Sequence, residues 1–420
     1  MNTPRPTIPL KVASGKPSKE ALAQLDKHWR VQYLMLAPHR LSFFLAMVVL
    51  VASALWWGAV QVDRATGWLG LPYASGYAVS PTLVHSAVMV LGFIPLYFAG
   101  FLFTAGPKWL GVDPLPVSAV RPPLLLQALG WLLWLAGAHL HAALALAGLA
   151  LACAGLAWMT VQFWGRVRLS QAEDQLHARV IGFACVLGTL SAAGVWVAML
   201  LQAHALARVW VFCALWGFVV VVYVTVAHRM IPFFTSSAMP LVQAWRPFWV
   251  LWLMLAAAGM QVLVGGVLVW LAWVWGLVQS LKNKLLAMLH IGFLWLGVAF
   301  LLGGLAQWLA VGLGLGSLGL GALHALSMGC LASLMLAMVT RVSCGHGGRA
   351  LVADRIVWSL FCLLQLATLL RIAATLPVWP AGALPWLLLA SASVWLITMG
   401  VWGGRLARWY GRLRPDGRPG

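Results

Sequence analysis

Residues 42–60 read SFFLAMVVLVASALWWGAV, a stretch without a single charged side chain. A run of about 20 apolar residues has the length of a helix that crosses the hydrocarbon core of a bilayer. Similar runs recur along the chain, which is 63% hydrophobic and only 8% charged, whereas a soluble protein of 420 residues needs a far more charged surface. The alternating segments typical of a spanning β-barrel are absent from the sequence. The composition therefore predicts an all-α, polytopic membrane protein.

The apolar runs predict about twelve membrane-spanning helices in a single membrane domain at 41–403. A cytoplasmic tail at 1–40, expected to be partly disordered, precedes this domain, and a basic cytoplasmic tail at 404–420 follows it. The third and fourth spans are separated only by GAHLH at 137–141, and the seventh and eighth only by Gly265 and Gly266. The predicted spans are 41–61, 83–105, 123–139, 142–164, 178–201, 208–227, 247–264, 267–281, 285–308, 321–340, 356–376 and 383–403.

The positive charges predict how the helices are oriented. If both termini are cytoplasmic, only Arg64, Arg208 and Arg371 of the 27 Lys and Arg residues lie on the outer side. Cytoplasmic loops carry an excess of Lys and Arg, so the pattern favours this topology. It also explains the formal net charge of +19 by topology and contact with lipid, without a nucleic-acid partner.

Histidines are the best candidates for chemistry, because the eight Asp and Glu residues all fall in predicted tails or loops. An ionisable side chain at membrane depth is costly and marks a functional candidate, and neutral imidazole is a common metal ligand. A rise of about 1.5 Å per residue places His85 and His324 at the outer level of the membrane. The same count places His290 and His346, with His228, at the inner level.

Two explanations fit these levels. Haem with two axial imidazoles from different helices needs a pair at one level, and copper accepts two or three imidazoles. A membrane histidine can equally form a hydrogen bond to a neighbouring helix. Arg371 either reaches the interface or pairs with an anionic ligand such as a haem propionate. His28, His39 and His177 are expected at the polar inner surface.

Four segments together resemble the NnrS family. A helix that opens with Leu-His runs into the loop TRVSCGHGGR at 340–349, and RMIPFFT lies at 229–235. LLAMLHIGFLWLG lies at 285–297, and HSAVMVLGF at 85–93 is followed by GFLFTAGPKWLG at 100–111. The likeness extends from about residue 30 to about residue 400 of the chain.

The resemblance implies a twelve-helix protein of the bacterial inner membrane that binds haem and copper. It also implies a role in nitric oxide metabolism, in denitrification or resistance to nitrosative stress, with nitric oxide as a small-molecule ligand. Carried over by position, the candidate metal ligands are His85, His290, His324 and His346. The candidate cofactor-binding residues are His85, His324, Arg341, Arg349 and Arg371. The chain departs from the family at Ala87 and Val88, where a second His and a Glu are usual.

The loop at 340–349 has a corresponding interpretation. Glycines on both sides of His346 let the backbone approach a ligand closely. Arg341 and Arg349 can meet an anionic group such as a propionate or an anionic lipid, and Ser343 could orient the His346 ring. A glycine-rich turn with topology-setting arginines explains the same residues.

Two other functions remain open from the sequence. One is a quinol-linked haem redox enzyme, similar in outline to the haem–copper oxidases, although the inner group supplies at most three histidines for a copper ion. The other is a transporter of a metal or a small solute whose histidines line a path. The scarcity of carboxylates within the predicted spans argues against proton coupling in such a transporter.

Overall fold

The fold is a bundle of long helices. The computed structural model describes residues 28–71, 77–239, 245, 247–256, 261–307, 309, 319–376 and 378–416, and within them it contains no strand. An all-α membrane protein is thereby confirmed. The helices are α1 (Pro38–Thr66), α2 (Pro81–Leu110), α3 (Val117–Leu140), α4 (Ala142–Leu169), α5 (Leu176–Leu200), α6 (His204–Ala238), α7 (Phe248–Ala256), α8 (Gln261–Val274), α9 (Lys284–Gln307), α10 (Gly321–His346), α11 (Arg355–Ala373) and α12 (Leu384–Tyr410).

Ten of the described helices are long and apolar enough to cross a membrane. The other two, α7 and α8, are shorter, and residues 257–260 between them lie outside the described part of the chain. The count of twelve spans and the side of the membrane on which the termini lie therefore stay predictions, as does the division into tails and one domain. Most of the predicted tail at 1–40, namely residues 1–27, also lies outside the description.

The predicted boundary at Gly265 and Gly266 is wrong, because both residues lie inside α8. A Cβ atom added at Gly265 would lie 3.0 Å from the backbone nitrogen of Leu301 and 3.1 Å from the carbonyl oxygen of Gly297, both in α9. Gly265 therefore allows two helix backbones to approach, as small residues do in membrane bundles, and does not form a turn.

The boundary predicted within GAHLH is confirmed, since α3 ends at Leu140 and α4 begins at Ala142. His141 between them is extended, with φ −166° and ψ 136°, and its Nδ1 accepts a hydrogen bond from the amide of Ala143 at 3.1 Å. It thereby satisfies one of the amides that a helix start leaves without an intrahelical partner. The hairpin formed by α3 and α4 is held by close backbone contact at glycines of both helices.

The first and the last described segments of the chain meet at one end of the bundle. The amide of Arg30 donates to the carbonyl of Gly411 at 2.8 Å, and Trp29 Nε1 donates to the carbonyl of Ala407 at 3.0 Å. Helix α12 packs along α1, so the bundle closes on itself. We call the end at which α1 begins and α12 ends the terminal face, and the other end the opposite face.

Within the described residues, three of the long helices contain π-helical segments. These segments are Val88–Gly92 in α2, Leu215–Val220 in α6 and Ala325–Ala332 in α10, and α2 contacts both α6 and α10. A π segment inserts an extra residue into a turn and is often found at functional sites. The segments in α2 and α10 begin directly beyond the turns that carry His85 and His324.

We expect Gly148→Ala to destabilise the α3–α4 hairpin. The new Cβ would lie 2.6 Å from the carbonyl oxygen of Gly130, a backbone atom that cannot rotate away. Overpacking of this kind costs about 1–3 kcal/mol. Gly165→Ala in the same helix is the control, because nothing lies within 4 Å of its Cβ position and alanine favours helix over glycine by about 1 kcal/mol. Thermal unfolding in detergent should show a lower melting temperature for Gly148→Ala and a higher one for Gly165→Ala than for the parent. Equal shifts in the two variants would contradict this packing.

The start of α11 is joined to α12 by an ion pair. Asp354 accepts a hydrogen bond from the amide of Val357 at 3.0 Å as the N-cap of α11, and it pairs with Arg405. Burial alone would raise the pKa of Asp354, but the Val357 amide and the Arg405 guanidinium outweigh burial and lower the pKa below its ordinary value.

We therefore expect Asp354→Ala to cost about 1 kcal/mol at neutral pH, the usual cost of losing an N-cap. The side chain of Asp354 is 42% exposed, so solvent screens the ion pair and the cap dominates. Because the folded pKa is depressed, this stabilisation is complete above the unfolded pKa of about 3.9 and disappears as the pH falls through the folded pKa. The difference in melting temperature between parent and variant should vanish in acid, and Asp354→Asn, which can still cap α11, should cost less. A difference that persists in acid would count against this assignment.

Candidate cofactor site

The opposite face holds the outer pair of histidines. His85 lies in the second turn of α2, which starts with Pro81 at its first position, and His324 lies in the first turn of α10. The two rings lie within electrostatic range of each other, and Arg371 of α11 lies within range of both. The level shared by His85 and His324, which was counted along the sequence, thus corresponds to proximity in the fold.

The ring nitrogens of this pair are arranged differently. His324 Nδ1 lies 2.8 Å from the carbonyl oxygen of Leu320, an acceptor, so Nδ1 carries the proton and Nε2 keeps a lone pair. His85 Nδ1 is buried, and none of the described residues forms a hydrogen bond with it. A buried polar atom without a partner is costly, so this nitrogen calls for an explanation such as a ligand.

Trp57 of α1 fixes the plane of the His85 ring. The two rings are stacked, with centroids 3.9 Å apart and planes 16° apart. Arg64, in the last turn of α1, lies with its guanidinium carbon 5.3 Å from the centroid of the Trp57 ring. Arg64 and Arg371 therefore place two positive charges around the histidine pair, and among the described residues no ion pair involves Arg371.

The inner-level histidines lie in three separate places. His290 of α9 contacts Thr235 of α6, with 3.0 Å between Nε2 and Oγ1. The His346 ring lies 4.7 Å from that of His39 in α1, measured between centroids, and His228 Nδ1 lies 3.1 Å from His177 Nε2. Within the described residues no group of three or more His, Cys, Asp or Glu side chains is arranged to hold a metal ion.

The contact at Thr235 fixes the tautomer of His290. Thr235 Oγ1 donates to the carbonyl of Ile231 at 2.9 Å, so its remaining capacity towards His290 is as an acceptor, and His290 Nε2 carries the proton. His290 Nδ1 then bears the lone pair, and it is buried without a hydrogen-bond partner among the described residues.

Two histidines that the sequence predicts at the surface are buried. His39 and His177 were expected at the polar surface, yet each is only 2% exposed. The signal for His39 is Pro38, because proline favours the first position of a helix and so places His39 inside the first turn of α1. His177 likewise lies in the first turn of α5, where it meets His228.

The segment 340–349, predicted to be a loop, is helical as far as His346, where α10 ends. The guanidinium carbon of Arg341 lies 3.8 Å from the centroid of the Phe234 ring, and that of Arg349 lies 4.3 Å from the centroid of the Trp409 ring. Ser343 Oγ lies 2.6 Å from the hydroxyl of Tyr410, so Ser343 does not orient the His346 ring. These contacts fasten the segment to α6 and α12.

The comparison with protein families tests the resemblance to the NnrS family. The family described as NnrS protein matches residues 33–414, nearly the whole chain. The chain belongs to the NnrS family. Membership places it among membrane proteins linked to nitric oxide and associated with haem and copper. The comparison with individually curated proteins gave no match.

Ala87 and Val88, the two positions at which the sequence predicts a departure from the family pattern, lie in the core of the bundle. Both are fully buried. Val88 opens the π segment of α2, and its side chain lies against Gly92. Helix α2 therefore offers the outer site one imidazole, His85, and an apolar surface beyond it.

We expect Thr235→Val to destabilise the protein by about 1–3 kcal/mol, because the N–H of His290 would be left buried without an acceptor. Thr235→Ser keeps the hydroxyl and should retain most of the stability. Thr225→Val in the same helix is the matched control, since Thr225 is fully buried but bonds only the Val221 carbonyl of its own helix. Thermal unfolding measures all three variants, and an equal loss in Thr225→Val and Thr235→Val would count against the contact with His290.

Proposed function

We propose that this chain is a haem-binding protein of the bacterial inner membrane that acts in nitric oxide metabolism, with His85 and His324 as the haem ligands. The observation that carries the proposal is this pair of imidazoles on two central helices, one with a buried, unpartnered Nδ1 and the other with a lone pair on Nε2. Two imidazoles from different helices form a donor set that would hold a haem iron.

The surrounding residues suit this role. Trp57 holds the His85 ring in one plane, and the Leu320 carbonyl holds His324 in the tautomer that keeps Nε2 as a ligand. Arg371 supplies a positive charge next to both rings, where a propionate would be neutralised. Haem iron would supply affinity for nitric oxide, while these side chains bind and orient the group.

The described residues fit copper less well. Copper in proteins accepts two or three imidazoles, but within the described residues His290 belongs to no group of three or more side chains that could hold a metal ion. His346 has His39 beside it, yet both lie within electrostatic range of Arg40 and Lys108, which disfavours a cation. We therefore assign no step to copper, and a haem–copper reaction centre gains no support from the described histidines.

The test is the absorption spectrum of the protein purified in detergent after haem-replete expression. We expect a Soret band in the parent that nitric oxide shifts and that His85→Ala and His324→Ala abolish. His141→Asn is the control, because this exposed residue caps α4 and asparagine can also cap a helix.

Size-exclusion profiles show whether each variant is folded. Recovery of the band when imidazole is added to His85→Gly would identify His85 as a ligand and not merely a packing residue. A parent without haem would contradict the haem proposal and favour transport. A Soret band that survives both alanine substitutions would contradict His85 and His324 as the ligands.

A further inference from the structure

The terminal face contains a cleft that the haem proposal does not use. Its volume is about 800 Å3, and its wall consists of residues 35–39 at the start of α1, the last turns of α2, residues 114–118 at the start of α3, and His346. The polar side chains that matter here are His39, Thr104, Lys108, Arg121 and His346. None of the described residues in the wall is acidic.

The charge behind this wall is positive. Arg40, the neighbour of His39, is only 3% exposed, and its guanidinium donates to the carbonyls of Arg412 at 2.9 Å and of Tyr33 and Tyr410 at 3.4 Å. Carbonyl groups satisfy its N–H donors but do not cancel its charge. Arg40 and Lys108 both lie within electrostatic range of His39 and His346. Arg414 is also in range, but it is paired with Asp416.

Two helix starts reinforce this positive charge. Helix α1 begins at Pro38 and helix α3 at Val117, and both residues line the cleft. The first turn of a helix presents amides without intrahelical acceptors and the positive end of the helix dipole. Such a terminus favours an anion, and here two converge on one cavity.

Polar atoms of the wall also lack partners. His39 is 2% exposed, and its Nδ1 is buried without a hydrogen bond among the described residues. Thr104 Oγ1 is also buried without a hydrogen bond among the described residues. These two groups can act as donors to an oxyanion in the cleft, and they are the second observation, beside the helix starts, that points to a ligand.

The rest of the wall is apolar, with Met35, Leu36, Phe103 and Leu115. The cleft lies where α1 and α3 begin and α2 ends. Helices that cross a bilayer have their ends near its headgroup region. A ligand that presents an anionic phosphate to the basic residues and an apolar chain to this side matches both parts of the cleft.

We propose that the cleft binds the phosphate group of an anionic phospholipid, held by His39 at the start of α1, Lys108 in the last turn of α2 and Arg121 near the start of α3. His346, which the sequence suggests as a metal ligand, contributes to this anion site instead. The proposal is independent of haem, so either can fail without the other.

The test is the thermal stability of the full-length protein in a zwitterionic detergent with a short-chain phosphatidylglycerol added. We expect phosphatidylglycerol to raise the melting temperature of the parent in a saturable way, and the matching phosphatidylcholine not to do so. Lys108→Ala combined with Arg121→Ala should weaken the affinity for phosphatidylglycerol about 30-fold, since each basic residue near a lipid surface contributes a factor of about five to the affinity.

The control is Arg168→Ala combined with Lys282→Ala, which removes the same charge from exposed residues outside the cleft. This control should respond to phosphatidylglycerol like the parent. The site would be overturned if both double variants lost the response to phosphatidylglycerol equally. It would also be overturned if phosphatidylcholine stabilised the parent as much as phosphatidylglycerol does. An equal shift with inorganic phosphate at the same concentration would overturn the lipid as its source. His39→Gln, which leaves the charge of Lys108 and Arg121 in place, should also weaken binding if the buried imidazole meets the phosphate.

Discussion

A bilayer interior offers no water to a backbone amide, so every crossing segment must form its hydrogen bonds within itself. The same constraint acts on polar side chains, and most of those buried here satisfy it locally. Thr225, Thr368 and Thr398 each donate to the carbonyl four residues earlier in their own helix. Against this background, the buried ring nitrogens of His39, His85 and His290 that lack a described partner stand out. A ligand at any of these nitrogens would supply the missing hydrogen-bond or coordination partner.

Much of this architecture could be predicted from the sequence, because apolar length is a direct readout of a membrane helix. The spans at 285–308 and 321–340 correspond to α9 and α10, and even the short GAHLH break is a real boundary. The Gly265–Gly266 boundary failed for a physical reason. Glycine both breaks helices and lets helices touch, and the letters alone do not distinguish the two uses.

The histidines show more clearly which parts of the structure the sequence does not predict. Counting residues along a helix gives depth in the membrane, but it does not give the position around the bundle. His85 and His324 share both, because α2 and α10 are neighbours in the interior. His290, His346 and His228 share depth only, and each faces a partner on a different helix. His39 and His177 were missed because the first turn of a helix lies outside the apolar run that reveals the helix.

Helix α10 joins the two faces of the protein in one continuous element. Its outer end carries His324, its other end carries Arg341 and His346, and the π segment Ala325–Ala332 lies between them. Each residue of an α-helix advances the chain by about 100° around the axis. Deleting one residue from the π segment would remove the extra residue, restore regular α geometry and leave the two ends of α10 facing nearly the same neighbours. Deleting one residue from the regular part of α10, within Ser333–His346, would instead turn one end relative to the other by about 100° and change the neighbours that this end faces.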